Sequence, residues 1–161
     1  MSEEYRIYPI GHVRSNEEGF FLEINQPYFN ALKELDGFSH IQVLWWPHLG
    51  ATPENRKVTE VELPYRNAPA QIGIFATRSE MRPNPIGLSA VRVLKVDHEQ
   101  GLIMLPYIDA MDGTPIIDIK PYHPSSDRIR DVNVPKWCAH WPQYYEESAD
   151  FDWQAEFVNA C

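Results

Sequence analysis

Residues 72–91 read IGIFATRSEMRPNPIGLSAV, two short apolar runs on either side of a polar loop with two prolines. Each proline fixes its own φ and pushes the preceding residue, here Arg82 and Asn84, toward extended backbone. No helix runs through such a loop, and the flanking runs have strand length. The stretch therefore predicts strand, stiff loop, strand. The same grammar continues outward. Residues 20–24 and 41–46 are apolar runs, the second continuous enough to suit a strand buried on both faces. VTEVEL, residues 58–63, alternates with period two, as a half-solvated strand does. Residues 6–13, 102–108 and 116–119 complete about eight strand signals, with residues 72–76 and 90–96 flanking the opening loop. A short helix is predicted over 27–35, with Pro27 in its first turn and Gly37 as its stop.

Composition agrees. The chain has 161 residues, 43% of them apolar and 12% aromatic, enough for one domain with a packed core. Fourteen prolines, spread from Pro9 to Pro142, argue against a helical bundle. Together these predict an all-β domain, a barrel or a sandwich. Beyond Pro135 the pattern changes to Trp137, Trp141, Tyr144, Tyr145, Phe151, Trp153 and Phe157 among acids. This tail is expected to bury its rings against the β domain, dividing the chain into 1–134 and 135–161.

Several function classes lose weight. No two of the eight glycines are separated by a single residue, so neither a dinucleotide fingerprint nor a phosphate-binding loop exists. Lys and Arg number 14 against 23 acids, a net charge of −9, which argues against generic phosphate-driven nucleic-acid binding. Cys138 and Cys161 form no disulfide framework, the chain starts without a signal-peptide core, and no apolar run is long enough to span a bilayer; cytoplasmic residence is the expectation. His40 and His48 invite a metal. Eight residues of strand cover roughly 26 Å, so they cannot share one unless the strand breaks. No metal is expected. His40 suits a structural hydrogen bond, and His48 a position at the rim where the apolar run ends.

Two segments carry chemistry. In the opening loop, Arg78 and Arg82 are forks on a stiff frame, suited to a carboxylate or phosphate, the alternative being a structural ion-pair loop. In YIDAMDGTPIIDIKPY, residues 107–122, Asp109, Asp112 and Asp118 lie close together. Asp112-Gly113 alone reads as the solvated turn of a β-hairpin. Asp118 and Lys120 fall on one strand face.

These segments, with Gly37-Phe38-Ser39-His40 before an apolar strand ending at His48, resemble the TrmO/TsaA-like methyltransferase family. The likeness runs through Phe75–Ser79, Arg82–Gly87 with Ser89, Asp109, Asp112–Pro115 and Asp118–Tyr122, and covers roughly residues 5–125. It implies a small closed antiparallel β-barrel with one or two short helices, not a doubly wound fold. It implies a homodimer that binds S-adenosylmethionine and methylates the exocyclic amine of threonylcarbamoyladenosine beside the tRNA anticodon. By motif position the cofactor contacts are His48, Leu49, Arg78, Leu88 and the stretch Pro106, Tyr107, Ile108 and Asp109. Arg78 suits the cofactor carboxylate and Arg82 the threonyl carboxylate of the acceptor. The acceptor nitrogen is a poor nucleophile and needs a base; Asp109, Asp112 and Asp118 are the candidates. The Pro-Arg-Gln segment that better-known bacterial members carry ahead of the GFSH strand is absent, the region reading NEEGFFLEINQPYF. A small-molecule acceptor, or a regulatory cofactor-binding module, are the competing expectations. A basic stripe from Arg6, Arg14, Arg56, Lys57, Arg66, Arg128 and Arg130 on one face would favour tRNA.

Overall fold

The computed structural model describes residues 4–159. Cys161 lies outside them, and Cys138 is a free, buried cysteine. Two compact units emerge. One is the chain up to Ala51 together with Pro85–Arg128; the other is Thr52–Asn84 together with the chain from Ile129.

The first unit holds seven strands: β1 Gly11–Asn16, β2 Gly19–Ile24, β3 His40–Trp45, β6 Gly87–Arg92, β7 Lys95–Asp97, β8 Leu102–Leu105 and β9 Pro115–Pro121. They form one antiparallel sheet in the order β6-β3-β9-β1-β2-β8-β7. One face buries Val13, Leu22, Ile24, Ile41, Val43, Val91, Ile103, Leu105 and Ile116. The apolar runs that predicted strands supply this core, with alternate residues turned into it. The strand over 41–46 is buried on one face only: Ile41 and Val43 are buried, Gln42 and Leu44 half-buried.

Strand pairing does not close this sheet into a barrel. β6 and β7 are its two edges and do not pair. They are consecutive in the chain, however. Val93 N–H donates to Ser39 O on the β3 side at 2.9 Å, and Leu94 N–H to Met104 O of β8 at 2.9 Å. One bent stretch thus tends both edges.

Three expectations shift. The first strand begins at Gly11 rather than Arg6, leaving Ile7 and Tyr8 exposed. The predicted helix is two 3-10 turns, Gln26–Leu32 and Leu35–Gly37, interrupted by Glu34 in the left-handed region at φ 66°. Leu32 closes the first turn and Leu35 opens the second, and both are buried. Asp112-Gly113 is not a hairpin turn: β8 pairs with β2 and β7, while β9 pairs with β1 and β3.

The second unit has a two-stranded ladder, β4 Glu60–Glu62 with β5 Gln71–Gly73. Its core is aromatic. Tyr65 stacks on Trp137 with centroids 5.5 Å apart and meets Trp141 edge-on at 4.9 Å. Trp153 contacts Trp141 at 5.3 Å, Phe157 at 5.6 Å and Phe151 at 4.7 Å. Trp137, Trp141, Phe151 and Trp153 are thus half-buried among the rings of this unit, whereas Tyr144, Tyr145 and Phe157 stay exposed. Arg66 N–H donates to Glu156 O at 2.9 Å and Val158 N–H to Pro64 O at 3.0 Å, tying the tail to residues 64–66.

Candidate functional site

The antiparallel order brings several loops to one end of the seven-stranded sheet. β3 leaves there toward His48 and Leu49, and β6 enters there at Gly87 and Leu88, paired with Trp45 and Leu44. β8 leaves there into Pro106–Asp109, and β9 enters there after Asp112. His48, Leu49, Leu88, Pro106, Tyr107 and Asp109 are all exposed. Ile108 is 2% exposed and sits in the core, so it anchors its loop while its neighbours face solvent.

Trp45 shapes the entry to β6. Its Nε1 donates to Ser89 Oγ at 3.0 Å. A Cβ on Gly87 would lie 2.3 Å from the indole ring, so only glycine permits this approach. On the other sheet face Asp118 lies beside Leu44, which lies beside Leu88. The strand irregularity between Leu44 and Trp45 skips Ile117 and sets that row.

The three aspartates are unequal. Asp118 accepts from Ile119 N–H at 2.9 Å and pairs with Lys120 Nζ at 2.7 Å. The hydrogen bond and the charge of Asp118 raise the Lys120 pKa. Asp112 Oδ1 accepts from Ser15 N–H at 2.9 Å. Among the described residues Asp109, exposed, receives only Tyr107 Oη at 3.5 Å, the long limit of a hydrogen bond. Its carboxylate is the least engaged of the three.

Arg78 and Arg82 belong to the second unit. Arg82 is half-buried, its Nη2 3.3 Å from both Ile74 O and Thr77 O, and its guanidinium lies 5.8 Å from the Phe75 ring centre. These contacts brace its own loop, as does Arg56 Nε donating to Pro83 O at 2.9 Å. Arg78 is exposed.

His40 Nδ1 meets Ser39 Oγ at 2.9 Å, a structural hydrogen bond as expected. Among the described residues no group of three His, Cys, Asp or Glu is placed to hold a metal ion, and no helix is long and apolar enough to cross a membrane. The residues of the suggested basic stripe divide between the units, and Arg14 is ion-paired with Glu23 at 2.6 Å. Two partnerships escaped the sequence reading. The Ser15–Asp112 bond spans 97 positions, with no local signal beyond Arg14-Ser15 in the family-like first strand. The His140–Glu156 pair, Nε2 to Oε2 at 3.0 Å, sits in the tail, where only ring content drew notice.

An antiparallel sheet protein with its exposed apolar and carboxylate loops at one end stands apart from the doubly wound nucleotide-binding folds. Comparison with known proteins narrows this class. The tRNA-methyltransferase O N-terminal domain family matches residues 3–128, and the chain belongs to that family. It is 36% identical over 111 residues to an S-adenosyl-L-methionine-binding protein of Archaeoglobus fulgidus, covering 69% of this chain and 74% of the relative. It is 39% identical over 107 residues to the tRNA (adenine(37)-N6)-methyltransferase of Escherichia coli, covering 65% of this chain but only 45% of the relative. Among solved structures, TrmO from Pseudomonas aeruginosa aligns with TM-score 0.63 and 30% identity, over 81% of this chain and 62% of that one. The chain thus spans about half to three quarters of these relatives.

Proposed function

We propose that the protein is an S-adenosylmethionine-dependent methyltransferase whose acceptor is the exocyclic amine of a tRNA adenine, threonylcarbamoyladenosine in the first instance. Family membership supports the chemistry. The observation that supports the site is that the loops carrying Leu49, Leu88 and Pro106–Asp109 leave or enter their strands at the same end of the sheet. Exposed apolar side chains and a tyrosine suit an adenine face. Arg78 is the proposed partner of the cofactor carboxylate on its motif position.

The cofactor supplies a methyl group activated on its sulfonium. The chain's residues bind and orient; close alignment of donor and acceptor accounts for much of such a rate. The N–C bond forms as the C–S bond breaks, and the proton leaving the acceptor nitrogen passes to a carboxylate. Asp109 is the proposed acceptor of that proton, because Asp112 and Asp118 already serve backbone N–H groups and Lys120. Cytoplasmic residence follows from a tRNA substrate, and a homodimer is proposed with it. Sedimentation showing only monomer at micromolar concentration would exclude the dimer.

The deciding experiment is transfer of labelled methyl into tRNA with and without the threonylcarbamoyl modification, read by nucleoside mass spectrometry. Methylation confined to modified tRNA is expected. The net charge of −9 and the Arg14–Glu23 pair favour one second reading, a small-molecule acceptor. Labelling of a small-molecule extract, with tRNA unlabelled, would select it.

A further inference from the structure

We propose that Asp112 is a positioning residue: it holds the Pro106–Asp109 loop in place by fastening the loop's far end to β1, and takes no part in proton transfer. This rests on the methyltransferase reading for its catalytic consequence, though not for its geometry. The loop leaves β8 at Leu105 and must return to β9 at Pro115. Both ends are fixed. On departure, Ile108 enters the core and the Tyr107 ring meets Phe20 of β2 edge-on at 5.4 Å. On return, Asp112 Oδ1 takes Ser15 N–H at 2.9 Å, and Gly113 N–H donates to Val13 O at 2.8 Å. Val13 N–H in turn donates to Thr114 O at 2.8 Å, and Thr114 N–H donates to Met111 O at 3.1 Å. Gly113 has φ 77°, a turn conformation that glycine adopts without strain. Thr114 is buried.

Asp112 is the one side chain in this set of bonds that reaches between the loop and β1. Its carboxylate accepts from a backbone N–H, a charge-assisted bond that fixes direction as well as distance. The residues left facing solvent between the anchors, Tyr107, Asp109 and Met111, are thereby held in one arrangement. An amide oxygen in place of the carboxylate would still accept from Ser15 N–H, whereas a proton acceptor must be a carboxylate. Asparagine therefore separates the two roles.

The test compares Asp112→Asn, Asp112→Ala and Asp109→Asn by methyl-transfer kinetics, S-adenosylmethionine calorimetry and amide hydrogen exchange at Ser15. Asp112→Asn is expected to stay within about threefold of wild type in kcat and KM, with an unchanged pH profile. Asp112→Ala is expected to raise the KM for S-adenosylmethionine by roughly tenfold and to speed exchange of the Ser15 amide. Asp109→Asn is expected to leave Ser15 exchange unchanged and to lower kcat by about a hundredfold or more. A loss of about a hundredfold in kcat for Asp112→Asn with Ser15 protection intact would make Asp112 the base and overturn the proposal. Unchanged Ser15 exchange in Asp112→Ala would overturn it as well. Should wild type neither bind the cofactor nor transfer methyl, the functional reading fails, and Ser15 exchange in Asp112→Ala still decides the anchor.

Discussion

Gly87→Ala tests the packing at the entry to β6. The new Cβ would lie 2.3, 2.4 and 2.6 Å from three atoms of the Trp45 indole, well inside any allowed contact. The ring cannot yield freely, because its Nε1 is bonded to Ser89 Oγ at 3.0 Å and it packs against the core. Overpacking of this kind costs about 1–3 kcal/mol, and losing the indole bond adds about 0.5–1.5 kcal/mol. The sum, about 1.5–4.5 kcal/mol, corresponds to a drop in Tm of roughly 4–13 °C for a chain of this size. Urea titration and thermal melting measure it. Gly73→Ala is the control: nothing lies within 4 Å of its Cβ and its φ is −66°, so it should stay within about 0.5 kcal/mol or gain slightly. Trp45→Leu in the Gly87→Ala background should recover part of the loss, with a coupling of about 0.5–3 kcal/mol. A Gly87→Ala variant within about 0.5 kcal/mol of wild type would refute the claim that the indole leaves no room.

Arg78→Ala should weaken S-adenosylmethionine binding by about 1.5–3 kcal/mol in calorimetry, the range of a lost charge-assisted bond; unchanged affinity would remove Arg78 from the site. Glu156 should make the second unit acid-labile. Burial pushes its pKa up, but His140, the Trp141 indole and Arg66 outweigh this and hold the carboxyl below its usual range. Among the described residues Trp141 Nε1 and Glu156 Oε1 both lack a hydrogen-bond partner of ordinary geometry, so the indole acts on the carboxylate as a nearby dipole. A depressed carboxylate contributes stability above its unfolded pKa and loses it as pH falls through the folded value. Wild type should therefore lose stability more steeply than Glu156→Gln between neutral pH and about pH 3 in urea titrations; parallel curves would count against it. Burial also raises the pKa of the Cys138 thiol, so peptide mapping should find Cys138 alkylated slowly at mildly alkaline pH until the protein unfolds.

Strand existence was legible where short apolar runs break the polar sequence, as in β2, β3 and β8. Strand partnership was not. Asp112-Gly113 has the composition of a hairpin turn, yet the strands on either side of it pair elsewhere, because β1 and β2 lie between them in the sheet. Local sequence describes a turn's backbone; which strands it separates depends on residues far away. The site divides in the same manner. The Asp118–Lys120 pair could be read from a two-residue spacing, and the structure gives 2.7 Å. The roles of Asp112 and Arg82 could not, since one depends on Ser15 and the other on the carbonyls of residues 74 and 77. Motif likeness pointed to the right family, but it could not say which carboxylate was already spoken for.

A sheet with free edges is a standing template for unwanted pairing with other chains. Here both edges belong to one short stretch, residues 87–97, bent at Val93 and Leu94. Guarding against aggregation is thereby concentrated at a single place in the sequence. A proline at position 94 removes the N–H that reaches Met104 O, so the β7 edge would loosen beside the β6 edge. That one substitution would free the β7 border from β8, and self-association, rather than loss of the core, would be the first sign of damage.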